Sequence, residues 1–298
     1  MIVVFGSINI DLVVRAAKIP APGETVLGLD YVPIPGGKGA NQALAARRAG
    51  ADVAMVGAYG HDSFADRALE LLRAGGVDLS ASRAVEAPTG AAFIVVDDSG
   101  ENAIVVASGA NARASAAQLA SVTFGAGDIL LLQRETPERE VEAAALEAKR
   151  RGAKVMLNSA PAGAPSKTLL GALDLLCVNE HEAETLGRAL GVVAAGPETT
   201  AEAIHRAYGL DVIVTLGASG AVAFHRGRRL AAPAPQVSVV DTTGAGDTFV
   251  GAFAASLDRG DGFERALRRG LVAGSLACTK PGAQPSMPTV KEIDAAYS

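Results

Sequence analysis

The chain has 298 residues, of which 49% are hydrophobic and 20% are charged. This composition excludes a largely disordered chain, and the length allows one large domain or two smaller ones. The formal net charge of −5 argues against nucleic acid or an anionic membrane as the main partner. An anionic ligand therefore needs a local binding site.

The two cysteines, Cys177 and Cys278, lie far apart and form no Cys-x-x-Cys pair. This excludes a zinc knuckle, a thioredoxin-type site and a disulfide-rich scaffold. Each follows a leucine or an alanine, and both are predicted to be small buried hydrophobic residues. Because the chain shows no basic leader and no apolar stretch of about 18 residues, we expect a soluble protein of the reducing cytoplasm.

The predicted elements begin with a short buried strand over residues 2–5. Asn9 and Asp11 follow, and their side chains point to one face if the chain stays extended there, as expected from the strand at residues 12–14. Residues 20–35 contain four prolines and two glycines, which exclude a helix. Alternation within this segment predicts exposed strands at residues 24–27 and 31–32.

A second extended pair is predicted over residues 89–96 and 101–107. The residues between them read DDSG, which is typical of a hairpin turn. We expect the two extended segments to form a small β-sheet lid over about residues 12–35 and 89–107.

The rest of the chain alternates strands with helices. Apolar strands are predicted at residues 52–56, 128–132, 154–157, 173–178 and 211–215. Helices are predicted at residues 41–49, 63–73, 138–151, 180–190, 202–208, 245–257 and 263–278. Apolar strands separated by helices favour an α/β fold with a mainly parallel, doubly wound sheet covered on both faces. Ligands of such sheets bind at the carboxyl ends of the strands.

The strongest local signal is at residues 241–249 (DTTGAGDTF), between a short strand predicted at residues 237–240 and the next helix. Gly244 and Gly246 allow a tight turn whose N–H groups favour a phosphate at the helix N-terminus. Asp247 would repel that phosphate, so its place there makes sense if it removes a proton during the reaction. The alternative is an ordinary acidic residue of a first helical turn.

A second signal is at residues 36–42 (GGKGANQ), which lie before a helix. This is not a P-loop, because Gly-Lys is not followed by Ser or Thr, and it does not follow a buried strand as a dinucleotide fingerprint does. One interpretation is a loop that a polar ligand approaches closely, with hydrogen bonds to Lys38 and Asn41. The other is a hinge with a solvated lysine.

Polar residues also follow three of the predicted strands. Residues 179–182 (NEHE) fit a capping box, and Asn179 with Glu182 also fits water ligands around a magnesium ion. Glu135 is placed to accept a hydroxyl group, and residues 215–220 (TLGASG) are placed to form a wall of a nucleotide pocket. Ordinary loop polarity explains the last two equally well.

Together, these motifs resemble those of the ribokinase-like sugar kinases. The resemblance runs from residues 6–11 (GSINID) through residues 36–42 and 241–247 to residues 282–286 (GAQPS), almost the whole chain. It implies a single kinase domain over residues 1–298, made of a large α/β part and the lid. It also implies transfer of the γ-phosphoryl group of ATP to the 5-hydroxyl of D-ribose.

The resemblance implies a role for residues of each motif. Asp247 would be the base, and the N–H groups of Gly244, Ala245 and Gly246 would stabilise the transferring phosphoryl group. The sugar would be bound by Asn9, Asp11, Gly37, Lys38, Asn41 and Glu135. The nucleotide would be bound by Asn179, Thr215, Gly217, Gly220 and Gly246, with Mg²⁺ held through water by Glu182. A potassium ion would be bound by Asp241, the Ser286 hydroxyl and the carbonyls of Thr243, Ala277, Lys280 and Gly282.

The resemblance further implies a homodimer that pairs through its lids. Three lid residues, Ala92, Ile94 and Val106, are predicted to pack against the apolar edge of the sugar. The chain departs from the family at two positions. Gly270 stands where relatives often carry His or Asn near the adenine, and Arg134 stands where an apolar residue is usual.

Other functions remain open at this point. One is a sister kinase that acts on deoxyribose, a nucleoside, fructose or keto-deoxygluconate, and Arg134 favours the acid among these. Another is a sugar- or nucleotide-binding regulator without catalysis, against which Asp247 argues. A dehydrogenase is disfavoured, because no Gly-x-Gly-x-x-Gly follows an early strand.

Overall fold

The computed structural model describes residues 1–192 and 196–297. Its strands are β1 (Ile2–Phe5), β2 (Asn9–Ala16), β3 (Gly28–Gly36), β4 (Val53–Val56), β5 (Ala58–Gly60), β6 (Arg83–Val85), β7 (Gly90–Val96), β8 (Asn102–Ala107), β9 (Ile129–Leu132), β10 (Lys154–Asn158), β11 (Leu175–Asn179), β12 (Asp211–Thr215), β13 (Ala221–His225) and β14 (Arg228–Ala232).

The helices are α1 (Lys38–Arg48), α2 (Ser63–Ala74), α3 (Glu138–Arg150), α4 (Lys167–Ala172), α5 (Glu180–Ala189), α6 (Pro197–Tyr208), α7 (Ala245–Asp258), α8 (Phe263–Ala277), α9 (Ala283–Ser286) and α10 (Val290–Tyr297). Short 3₁₀ turns lie at Gly109–Arg113, Ala116–Ser121 and Gly217–Ser219. Among the described residues, no helix has both the length and the apolar character needed to cross a membrane.

An eight-stranded sheet in the order β14-β13-β12-β11-β10-β9-β1-β4 forms the centre of the fold. The strands from β12 to β4 pair in parallel, while β13 and β14 form an antiparallel edge. Helices α1, α7 and α8 cover one face, and α3, α5 and α6 cover the other. Because both faces are covered, Ile2 and Val4 pack into one core while Val3 and Phe5 pack into the other. The predicted doubly wound α/β fold is confirmed.

The lid is a separate four-stranded sheet in the order β3-β2-β7-β8. Strand β2 pairs in parallel with β7, and the outer pairs are antiparallel. The predicted hairpin turn is present, since the Asp97 N–H donates to the Glu101 carbonyl and the Gly100 N–H to the Asp97 carbonyl. The predicted small sheet is therefore confirmed, and its first strand begins at Asn9.

Two predicted strands were wrong. Residues 24–27 precede β3 and are not a strand. Residues 237–240 are also not a strand; instead, the N–H groups of Val240 and Asp241 donate to the Cys278 carbonyl. Alternating or apolar residues favour an extended chain, but they do not supply a partner strand for either segment.

Other elements also differ from the prediction, since β5, β6, α4 and α10 were not predicted. The edge hairpin β13–β14 was not predicted, and α6 begins at Pro197 rather than at residue 202. Proline fits the first turn of a helix because its missing N–H needs no partner there. Cys278 is only partly buried, in contrast to Cys177, which is buried as predicted.

Candidate active site

The N-terminus of α7 opens into a cavity of about 210 Å³ at the carboxyl ends of the central strands. Gly244 caps this helix in the left-handed conformation, with φ of 75°. A Cβ atom at Gly244 would lie 2.8 Å from the Cβ of Ala283, so both the conformation and the close approach require glycine. The Ala245 N–H donates to the Thr242 carbonyl at 3.2 Å, and the next N–H groups of the first turn have no partner within the helix.

Asp247 lies in the first turn of α7, lines this cavity and is 8% exposed. Its Oδ2 accepts a hydrogen bond from Asn41 Nδ2 at 2.9 Å, and its Oδ1 accepts one from Gln42 Nε2 at 2.8 Å. Both partners belong to the residue 36–42 motif, so the structure joins the two strongest sequence signals. An acidic residue of the first turn is also favourable to the helix dipole, so the position of Asp247 is compatible with either interpretation.

The residue 36–42 loop is packed tightly against the start of the chain. Gly37 has φ of 89°, and a Cβ atom there would lie 2.7 Å from the Asn9 nitrogen. The N–H of Lys38 donates to Glu135 Oε2 at 3.0 Å, and the Ser7 hydroxyl donates to the same oxygen at 2.5 Å. Glu135 therefore fixes the loop beside the end of β9.

Lys38 lies among four acidic side chains that the sequence separates widely. Burial, the largest single influence, lowers the pKa of Lys38, but Asp247, Glu135, Glu182 and Asp11 together raise it above its usual value. The ammonium group is therefore held charged. A cation surrounded by carboxylates can donate to one sugar hydroxyl while the carboxylates accept others.

Asp11 has the most perturbed carboxyl group of this cluster. Burial, the largest influence, and the charges of Glu135 and Asp247 together raise its pKa from 3.8 to about 7, against the opposing charge of Lys38. Asp11 lies beside Ala92 of β7 in the lid sheet, and paired residues of neighbouring strands share a face. The carboxyl group of Asp11 therefore lies on the lid sheet and not on the central sheet.

Asn9 is 2% exposed and is held by a residue that the sequence reasoning missed. Asn111, in the 3₁₀ turn after the lid, donates from Nδ2 to Asn9 Oδ1 at 2.6 Å. It also accepts from the Ile8 N–H at 2.9 Å. Asn9 Nδ2 is therefore the end of that amide left for a ligand. No sequence motif marked Asn111, because its role depends on a contact across 102 positions.

Asn179 and Glu182 form the predicted capping box at the start of α5. Glu182 N–H donates to Asn179 Oδ1 at 2.8 Å, and Asn179 N–H donates to Glu182 Oε2 at 2.9 Å. Both residues also line the cavity of Asp247. Burial, the largest influence, raises the pKa of Glu182, although the Asn179 N–H and the charge of Lys38 oppose it. Capping and ligand binding are compatible here.

A second cavity, of about 300 Å³, lies on the far side of Gly246 and shares Thr215 with the first. Its walls include three predicted nucleotide-binding residues, Thr215, Gly217 and Gly220. Most of its other wall residues are apolar or small, among them Val237, Val239, Phe249, Leu271, Ser275 and Cys278. The two cavities thus meet at the N-terminus of α7.

Gly270 is not part of this second cavity. A Cβ atom at Gly270 would lie 2.9 Å from the Phe249 ring, so this glycine serves the packing of α8 on α7. Leu271 and Ser275 present the cavity wall instead. Gly270 therefore offers no side chain to the second cavity, consistent with its being a departure from the family at this position.

Arg134 points away from the acidic cluster. Its Nη1 donates to the Pro161 carbonyl at 3.3 Å, and its Nη2 lies 3.8 Å from Glu138. With Glu135 and Val106 it lines a third cavity of about 390 Å³ at the base of the lid. Arg134 is thus on the rim of the site and not beside Asp247.

The model of the pfkB family of carbohydrate kinases matches residues 1–290. The chain belongs to this family. A ribokinase of Haemophilus influenzae is 41% identical over 300 residues, which cover 97% of this chain and 95% of that protein. The ribokinase structure of Thermotoga maritima matches with a TM-score of 0.90 and 35% identity, covering 99% of this chain and 98% of that one. A structure of Arabidopsis thaliana ribokinase complexed with ribose and ATP matches with a TM-score of 0.88 and 32% identity, covering 100% and 98%.

In this carbohydrate kinase, the residues assigned to potassium come from two segments that the structure joins at Asp241. Its Oδ1 accepts from the Thr243 N–H at 2.9 Å, and its Oδ2 accepts from the Gly282 N–H at 2.8 Å. Burial, the largest influence, raises the pKa of Asp241, but these hydrogen bonds and the Thr243 hydroxyl together lower it below its usual value. The carboxylate is therefore held ionised.

The other assigned oxygens of the kinase lie just after α8. The Ala277 carbonyl accepts from the Lys280 N–H at 3.3 Å, and the buried Ser286 hydroxyl donates to the Ala283 carbonyl at 2.8 Å. Carboxylate, carbonyl and hydroxyl oxygens are the donors that hard cations prefer. The residues present therefore fit a monovalent cation in their chemistry.

Proposed function

We propose that this protein transfers the γ-phosphoryl group of ATP to the 5-hydroxyl of D-ribose. The ribokinase relatives, matched over nearly the whole chain, support this reaction. The observation that carries it is the buried Asp247 carboxylate between the acidic cluster around Lys38 and the N-terminus of α7. We propose residues 1–298 as a single kinase domain with its lid at about residues 12–35 and 89–107.

The sugar binds between the lid and the residue 36–42 loop. The carboxylates of Asp11 and Glu135 accept hydrogen bonds from sugar hydroxyls, and the Lys38 ammonium donates one. Asn9, Asn41 and the backbone of Gly37 complete the set. Several paired polar contacts favour a substrate with free neighbouring hydroxyl groups, because each hydroxyl lost leaves a buried partner unsatisfied.

The reaction is an in-line displacement. Asp247 removes the proton of the 5-hydroxyl as its oxygen bonds to the γ-phosphorus, and the bond from that phosphorus to the β–γ bridging oxygen breaks to release ADP. The N–H groups of residues 244–246 and the helix dipole stabilise the negative charge on the transferring group. The protein contributes mainly position and electrostatics, which is what phosphoryl transfer demands.

Two cations complete the proposed site. Mg²⁺ bound with ATP neutralises phosphate charge. Glu182 and Asn179 line the end of the first cavity at which this Mg²⁺ binds through water. Asp241, Ser286 and the carbonyls of Thr243, Ala277, Lys280 and Gly282 hold K⁺ beside the α7 N-terminus. Thr215, Gly217 and Gly220 support the nucleotide in the second cavity. ATP is a substrate of the cell interior, so the cytoplasm is the compartment expected for this reaction.

The lid provides both a cover and a dimer surface. The face that carries Asp11 also carries an apolar row of Val32, Val13, Ile94 and Ile104, joined by the strand register. Val32 and Ile104 are more than half exposed, and the opposite face exposes Tyr31, Phe93 and Val105. A sheet that is apolar and exposed on both faces indicates burial by a partner. The face that carries Asp11 closes on the apolar edge of the sugar with Ala92, Ile94 and Val106. The opposite face, with Tyr31, Phe93 and Val105, pairs two lids in a homodimer.

The test is an ADP-release assay with purified protein, Mg²⁺ and K⁺, on D-ribose, 2-deoxyribose, D-fructose, ribonucleosides and keto-deoxygluconate. We expect the highest kcat/KM for D-ribose, with the product identified as the 5-phosphate by ³¹P NMR. A higher kcat/KM for another sugar replaces the substrate but keeps the chemistry. Sugar binding without turnover on any of them overturns the kinase assignment in favour of a regulator.

A further inference from the structure

The Asp247 carboxylate is held by two side chains that are neighbours in sequence but differ in surroundings. Asn41 donates to Oδ2 and Gln42 donates to Oδ1. Asn41 Oδ1 has no hydrogen-bond partner, whereas every polar atom of the Gln42 carboxamide is engaged. The two oxygens of the base are therefore not equivalent.

Gln42 is 0% exposed and belongs to a buried chain of amides. Its Oε1 accepts from Gln133 Nε2 at 2.6 Å. Its Nε2 donates both to Asp247 Oδ1 and to Asn158 Oδ1, the latter at 3.0 Å. Asn158 Nδ2 in turn donates to the Cys177 carbonyl at 3.2 Å. Two donors and one acceptor are all that the carboxamide possesses, so the hydrogen-bond pattern fixes its orientation.

The backbone of Gln42 is fixed as well. Helices α1 and α7 meet so closely that a Cβ atom at Gly251 would lie 2.6 Å from the Gln42 carbonyl oxygen. Gly251 follows Asp247 by one helical turn. The close contact therefore sets the position of the Gln42 carboxamide along the axis of α7 relative to the Asp247 carboxylate. Gln133 and Asn158 lie at the ends of the neighbouring strands β9 and β10. They bind the Gln42 carboxamide from the side of the central sheet.

We propose that Gln42 is a positioning residue of the phosphoryl transfer, which holds Asp247 by Oδ1 and leaves Oδ2 as the atom that takes the proton from the sugar hydroxyl. This inference rests on the proposed function. The Gln42 N–H that donates to Asp247 Oδ1 stabilises the ionised carboxylate and leaves Oδ1 less available to a further donor. The arriving hydroxyl then meets Oδ2, whose present partner, Asn41, is one of the proposed sugar ligands. No residue of the chain Gln133–Gln42–Asn158 needs to touch the substrate.

The first test replaces Gln42 by methionine, which keeps the length of the side chain but cannot donate. We expect kcat for D-ribose to fall about 10- to 100-fold, the cost of a misplaced catalytic group, while KM changes less than about threefold. Gln118→Met is the matched control, because Gln118 is equally buried and donates to the Gly57 and Ala81 carbonyls away from the site. Gln133→Met, which removes only the support of Gln42, should reduce kcat by a smaller factor.

The second test uses the pH profile of Gln42→Glu. A protonated glutamic acid can still donate to Oδ1, whereas an ionised one repels Asp247. We therefore expect the ratio of this variant's kcat to the wild-type kcat to fall as the pH rises. Lys38, Asp11 and Glu182 are the other charged groups that interact with Asp247, and none of them changes in this variant.

The outcomes separate the two proposals. Wild-type protein that turns over no sugar overturns the proposed function. An active wild type, together with a folded Gln42→Met variant whose kcat and pH profile are unchanged, overturns the positioning role. A change in KM alone does the same, because it makes Gln42 part of sugar binding. If Gln42→Met fails to fold, Gln133→Met and the Gln42→Glu profile decide.

Discussion

The backbone N–H of Lys38 donates to the Glu135 carboxylate at 3.0 Å across 97 positions of sequence. This single contact joins the glycine-rich loop before α1 to the end of β9. Because the contact anchors the loop, it argues against a free hinge before α1. The loop is fixed where its amides and its ammonium group can face a sugar.

Replacing Asp247 by Asn should abolish the chemistry but spare binding. We expect kcat to fall about 10²- to 10⁴-fold, the usual contribution of a general base, with the D-ribose Kd changed only severalfold by calorimetry. Asp66→Asn is the control, because Asp66 is an exposed acidic residue in the first turn of α2. Nearly normal turnover by Asp247→Asn would reduce Asp247 to a helix-dipole residue.

Sugar affinity should depend on pH through Asp11. Its pKa of about 7 means that the carboxyl group becomes protonated below neutral pH and loses acceptor capacity. The KM for D-ribose should therefore rise as the pH falls from 8 to 6, measured by steady-state kinetics. In Asp11→Asn the KM should be higher throughout and independent of pH in this window. A pH-dependent KM that persists in this variant would assign the titration to another group.

The same carboxyl group should destabilise the folded chain at neutral pH. Its pKa is raised from 3.8 to about 7 by burial and by neighbouring charges, so the folded state binds more protons than the unfolded state between these values. The free energy of unfolding contributed by Asp11 therefore falls as the pH rises from about 4 to 7. We expect Asp11→Asn without ligand to have a higher Tm than wild type at pH 8, and the difference to shrink at pH 5. Equal Tm values at pH 8 would contradict the charge cluster.

Crowding at Gly37 can be separated from backbone strain. Gly37→Ala should lose most sugar binding and lower Tm, because its Cβ would lie 2.7 Å from the Asn9 backbone nitrogen at φ of 89°. Gly23→Ala is the matched control, with φ of 82° and nothing within 4 Å. It should show only the cost of a left-handed residue, about 1–2 kcal/mol. Equal effects in denaturant titrations would argue that contact with Asn9 plays no part.

Turnover should depend on the monovalent cation. With Mg²⁺ constant, replacing K⁺ by tetramethylammonium should lower kcat severalfold, since the large cation cannot enter among small oxygen ligands. Asp241→Asn should reduce the response to K⁺. Equal rates in sodium, potassium and tetramethylammonium buffers would remove the cation from the proposal.

The lid surface should hold a dimer together. Phe93→Lys places a charge on the exposed apolar lid face opposite Asp11 and should convert dimer to monomer in sedimentation velocity runs. Leu146→Lys is the control, because Leu146 is a similarly exposed apolar residue on α3. Wild-type protein that sediments as a monomer at all concentrations would contradict the pairing of lids.

The sequence alone determined the fold class, the lid and the main motifs. Apolar strands such as residues 2–5 and 129–132, separated by helices, admit few arrangements other than a covered parallel sheet. The glycines of residues 241–247 marked the tight turn at the N-terminus of α7, because backbone geometry and helix polarity are local properties. The capping box of Asn179 and Glu182 was also readable, since it spans a single helical turn.

Only the tertiary structure decided which polar groups meet. The bonds of Asp247 to Gln42, of Glu135 to Lys38 and of Asn9 to Asn111 each join residues that are 97 or more positions apart. The wrong strand at residues 237–240 has the same origin, since the conformation of that segment depends on which neighbour lies beside it. Periodicity and motifs report the conformation of a segment. Hydrogen-bond partners, burial and the raised pKa of Asp11 arise only when distant segments pack together and exclude water.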